Sequence, residues 1–96
     1  MNLRRRVKAT DRTTTTVKFV VQAGPGTPLT VQFEPQGTEF ELAPGDHLTV
    51  EWPVRAEGRL LGGVTHGPDR LTLSEPAGGS ARLWNSRGEE LSVFGH

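Results

Sequence analysis

Apolar and polar positions alternate with period two through most of this chain, the mark of half-buried β-strands. Val17, Phe19 and Val21 share one face of a first strand, and Leu29, Val31 and Phe33 one face of a second. Phe40 and Leu42 do so in a third, and Leu48, Val50 and Trp52 in a fourth. A less regular fifth strand runs from Leu60 to Thr65, where Gly62-Gly63 marks a bulge or a close backbone approach. Leu71 and Leu73 define a sixth strand, Ala81 and Leu83 a seventh, and Leu91 and Val93 an eighth. No segment carries a helical period.

Turn residues separate nearly all of these runs: Gly24-Pro25-Gly26, Pro35-Gln36-Gly37, Pro44-Gly45-Asp46, Gly67-Pro68-Asp69, Pro76 to Gly79 and Arg87-Gly88. Short strands at a spacing of roughly 8–12 residues indicate an all-β sandwich or barrel. The expected fold is therefore a single, mainly antiparallel β-sandwich, or a flattened barrel, of about seven or eight short strands. The domain spans 13–96, behind a flexible basic arm at 1–12.

Parity turns the alternation into a pairing scheme, because residues directly opposite in an antiparallel pair lie on one face. If strands three and four form a hairpin, Leu42 faces Leu48 and Phe40 faces Val50, with Pro44, Gly45 and Asp46 as the loop. Ala43 then faces His47, Glu41 faces Thr49 and Glu39 faces Glu51. In the preceding hairpin, Phe33 opposite Phe40 puts Glu34 against Glu39. Glu34, Glu39 and Glu51 then form a row across three strands, with Glu41 diagonal to it. Like charges directly opposite cost stability, so such a row calls for a counter-charge. In the last hairpin, Leu83 opposite Leu91 leaves Ser86-Arg87-Gly88 as the loop, with Trp84 outward against Glu90 and Phe94 also outward.

Charge sharpens this picture. The 96 residues carry no formal net charge, yet residues 1–12 hold Arg4, Arg5, Arg6, Lys8 and Arg12 against Asp11, which is +4 and leaves −4 for the rest. Phe19 to Val54 contains five acidic residues and no Lys or Arg. The arm is of the kind that binds phosphates. The acidic domain behind it argues against nucleic acid, and no aromatic-basic stacking face is present. Arg4, Arg5 and Arg6 instead supply the charge that the glutamate row lacks, within one chain or between two. No apolar run suits a membrane span or a signal peptide, so a cytoplasmic location without membrane contact is expected.

Catalytic and metal chemistry find little footing. With no cysteine there is neither disulfide nor thiolate ligand, and no two histidines have metal-motif spacing. The Pro-Gly-Asp turn resembles part of a cupredoxin, but a type 1 copper site needs cysteine. No Gly-x-Ser-x-Gly elbow or phosphate loop occurs. His66 and Asp69 share an apparent turn, and alternation sends Glu89 and Glu90 to opposite faces. No catalytic residue, cofactor or metal is expected.

The block "FEPQGTEFELAPGDHLTVEW", followed by "RLWNSRGEEL", resembles small all-β proteins of actinobacterial type that have no assigned function. The resemblance implies a β-sandwich-like fold and transfers no activity. The reading that emerges is a non-enzymatic module for a protein partner or for self-association, acting through the acidic face, its edges, or Trp84 and Phe94. A cation- or ligand-binding domain using Glu34, Glu39, Glu41 and Glu51 is the alternative, since hard cations take oxygen ligands. A small enzyme using His47 or His66 is the third.

Overall fold

The computed structural model describes residues 15–54, 62–75 and 81–95. They form β1 (Thr15–Gln22), β2 (Leu29–Glu34), β3 (Thr38–Leu42), β4 (His47–Val54), β5 (Gly63–His66), β6 (Arg70–Ser74), β7 (Arg82–Asn85) and β8 (Glu90–Leu91). Sheet A has the order β1-β4-β7-β8 and sheet B the order β3-β2-β6-β5. The two pack face to face as a sandwich rather than closing into a barrel. No helix occurs among the described residues, and so none there is long and apolar enough to cross a membrane.

The alternating apolar residues fill the space between the sheets. Val21, Leu48, Val50, Trp52 and Leu83 enter from sheet A, and Val31, Phe33, Leu42 and Leu73 from sheet B. Ala81 and Val93 close the core beside β7 and after β8. Each large side chain buried in this way stabilises the fold by roughly 1.5–3 kcal/mol. Each sheet holds one edge-to-face ring pair on neighbouring strands: Phe19 on Trp52 with centroids 5.4 Å apart in sheet A, and Phe33 on Phe40 at 5.8 Å in sheet B.

The expected β3–β4 hairpin does not form, and this is the main correction. β3 pairs with β2 at one edge of sheet B, while β4 pairs with β1 and β7 inside sheet A. Pro44-Gly45-Asp46 is still a tight turn: Asp46 N donates to Ala43 O at 2.9 Å, and Gly45 takes φ +81°. It carries the chain from one sheet over to the other. Gly45 N also donates to the carbonyls of Ala23 and Gly24, and Ala23 N to Asp46 O at 2.9 Å, so this corner is sewn to the β1–β2 corner. A hairpin and an arch between sheets bury the same alternate residues, which is why parity alone permitted either.

The β2–β3 hairpin does form, in a register two residues from the expected one. Phe33 faces Thr38, Val31 faces Phe40 and Gln32 faces Glu39. The fold also contains one parallel pair, β2 with β6. Such a pair needs a long crossover, supplied here by the passage of the chain through sheet A. The fifth strand begins at Gly63, and Leu60 and Leu61 lie outside the described residues. The expected close approach is at Gly62. There φ is +132°, and a Cβ would stand 2.7 Å from the Trp52 ring and 2.8 Å from the Ser74 carbonyl oxygen.

Candidate functional site

The glutamate row is absent, for the reason just given. Glu34, Glu39 and Glu41 belong to sheet B and Glu51 to sheet A. On the outer face of sheet B, Glu39 stands beside Gln32, and Arg70 Nη1 donates to Glu39 Oε2 at 2.9 Å and to Gln32 Oε1 at 2.8 Å. Gln32 Nε2 in turn donates to Glu34 Oε2 at 2.7 Å. Glu41 is exposed opposite Thr30. Glu51 lies between Lys18 on β1 and Arg82 on β7. The counter-charges thus come from within the sheets. Arg4, Arg5, Arg6 and the rest of the arm lie outside the described residues. No cluster of three His, Asp or Glu side chains suited to a metal occurs among the described residues.

Among the described residues, His47 and His66 stand on different sheets. His47 begins β4, and Asp46 beside it accepts the His47 backbone N–H at 2.9 Å. The Ser86 side chain, then the His47 amide, hold the Asp46 carboxyl below the usual range. His66 is exposed at the end of β5, on the far side of a turn closed by Gly67 N to Arg70 O at 2.7 Å.

The last hairpin matches its expected register, with Leu83 opposite Leu91 and Trp84 opposite Glu90. Gly88 takes φ +84° in the loop, and its N donates to Asn85 O at 3.0 Å. Trp84 therefore points out from sheet A, half-buried. Two cations flank its ring, Lys18 Nζ and the Arg82 guanidinium carbon, each 5.0 Å from the centroid. Arg82 is fixed by two parallel bonds to Glu90, both 3.0 Å. The Arg82 bonds hold the Glu90 carboxyl below the usual range. The pairing also sets Val20, Thr49, Trp84 and Glu90 in one row across all four strands. Val20 is 58% exposed.

Phe94 is equally exposed, in the turn after β8. No ring contact joins it to Trp84 among the described residues. A Cβ on neighbouring Gly95 would lie 3.5 Å from Thr38 Cγ2, which places this turn beside β3. The sequence reading missed the cations around Trp84. Arg82 was accessible, since it stands two residues from Trp84 on the same face. Lys18 was not, because it comes from β1 across the intervening β4. Also missed was Glu75, 9% exposed at the end of β6. Its Oε2 accepts from Gln36 Nε2 at 2.7 Å and from Ala81 N at 3.4 Å, tying the β2–β3 loop to the entry of β7.

The fold and this face define a small two-sheet β-sandwich with one aromatic, cation-flanked outer surface. No family model, curated protein or solved structure matches the chain.

Proposed function

We infer that the domain is a non-enzymatic protein-binding module whose contact surface is the outer face of sheet A, centred on Trp84. The observation that supports this is the outward Trp84 ring with Lys18 and Arg82 both over it, and exposed Val20 in its row. Tryptophan and arginine dominate the energetics of protein interfaces. A ring already immobilised by two cations loses little further freedom on binding. The neighbouring Glu51 and Glu90 keep the face close to neutral, which favours a partner surface of mixed charge over a polyanion.

Pull-down with the full chain, compared with Trp84→Ala and with Arg70→Ala on the opposite sheet, tests the reading. A partner retained by the parent and by Arg70→Ala, and lost with Trp84→Ala, is expected. Retention of every partner by Trp84→Ala overturns it.

A further inference from the structure

The four sheet edges are protected very unequally. An open edge presents unpaired N–H and C=O groups, and proteins blunt it with short strands, charges or cover. β8 has two residues and β5 four, the latter starting at a glycine. β3 has five, two of them the exposed Glu39 and Glu41. β1 has eight residues, pairs on one side only, with β4, among the described residues, and carries a single charge, Lys18. Its core-facing Val17 and Phe19 are only half-buried, unlike Leu48, Val50 and Trp52 beside them on β4. Its outer face adds exposed Val20.

We propose that β1 pairs with β1 of a second copy, antiparallel about a twofold axis through Phe19, to join two A sheets into one. This rests on the reading of sheet A as the contact-making sheet and names its partner at the edge. Parity restricts the register, since opposite residues must share a face. The twofold must therefore pass through a residue. An axis at Lys18 sets Lys18 against its own copy, which like-charge repulsion opposes. An axis at Val20 pairs only the five residues Lys18 to Gln22. An axis at Phe19 pairs the seven residues Thr16 to Gln22 and sets Lys18 against Val20, Thr16 against Gln22 and Val17 against Val21. The two half-covered Phe19 rings then meet on the core side, and the Trp84 faces of both copies become one surface. An interface of one strand pair is small, so the dimer forms with rising concentration.

The register makes a charge test possible at an exposed position that does not touch the core. Val20→Lys places two lysine pairs across the twofold, and Val20→Glu places two Glu–Lys pairs there. Sedimentation equilibrium of the full chain is expected to show concentration-dependent dimer. Val20→Lys should weaken it at least tenfold, and Val20→Glu should strengthen it, with the difference shrinking in high salt. The cysteine-free chain also permits a register test: Thr16→Cys mixed with Gln22→Cys should form a mixed disulfide, while neither alone forms its own. Monomer at every concentration overturns the proposal, as do equal effects of lysine and glutamate or self-linking of Thr16→Cys. A monomer that still loses a partner with Trp84→Ala ends this inference and leaves the contact face standing. A dimer whose partners ignore Trp84→Ala ends the contact-face reading alone.

Discussion

The outer faces of the two sheets are built to opposite plans over the same core. Sheet B shows solvent a connected polar surface, Glu39 to Arg70 to Gln32 to Glu34, with Thr72 and Ser74 on the same side. Glu39, Arg70 and Glu34 find their partners within the sheet. Sheet A shows an aromatic ring, an exposed valine and an alternation of Lys18, Glu51 and Arg82. The difference teaches that amphipathic alternation decides only which side is buried. What the other side carries is free to vary, and here it separates a hydrogen-bonded polar face from one that presents a ring and an exposed valine.

The largest test asks whether the two sheets are one unit. Phe33 anchors sheet B and Trp52 sheet A, and both are almost fully buried. Phe33→Ala and Trp52→Ala should each cost about 3–5 kcal/mol and shift a single urea transition. A biphasic transition in either variant would separate the sheets and break the comparison at its base.

The next effect concerns Gly62, which lies against Trp52 of sheet A and Ser74 of sheet B. Gly62→Ala forces a Cβ against the Trp52 ring and the Ser74 carbonyl at a positive φ. It should cost about 1–3 kcal/mol. At Gly63 a Cβ meets only Ser74 Cβ at 3.8 Å, so Gly63→Ala should stay within about 0.5 kcal/mol of the parent. Equal effects in thermal denaturation would show that the contact at Gly62 is not the constraint.

These residues also show where sequence reading succeeds and stops. The core-facing sides of every described strand except β5 were legible, because period-two alternation is local; β5 is exposed throughout. The β7–β8 hairpin was legible to the residue, since a three-residue loop ending in glycine leaves little choice. The partners of β3 and β4 were not, because the Ala43 to Asp46 turn serves a hairpin and an arch equally well. The slip of β2 against β3 was hidden for a related reason: a shift of two residues keeps every side chain on its face. Outward Trp84 could be read from its neighbour Leu83. Its cation Lys18 and the Arg70 partner of Glu39 could not, because they arrive through the β1–β4–β7 order and the parallel β2–β6 pair. Long-range order is invisible to a local period.

Smaller effects separate the outer faces. The Arg70–Glu39 pair is about half exposed on both sides, and Arg70→Ala should change stability by well under about 1 kcal/mol. Trp84→Ala removes two cation–π contacts and a half-buried ring, and should cost roughly 0.5–2 kcal/mol. If Arg70→Ala proves the costlier of the two, sheet B's polar network is a structural element and the contrast between the faces needs redrawing.

The smallest effect is a pH dependence at the β7–β8 end of sheet A. Glu90 is held below the usual range by its bonds to Arg82, and Glu89 by Asn85 and then Arg87. A carboxyl lowered in the folded state favours folding only while charged. Its contribution is complete above the ordinary carboxylate value and is lost as pH falls through the lowered folded value. Because these groups are exposed, the loss should be slight and screened by salt. Carboxyl chemical shifts followed by NMR should place the Glu90 midpoint below that of an unfolded chain. Arg82→Ala should return it upward while also freeing one side of the Trp84 ring. An unchanged midpoint would mean that the Arg82–Glu90 fork does not persist in solution. Trp84 would then keep Lys18 as its one fixed cation, and the cation pair over the ring would no longer set sheet A apart from sheet B.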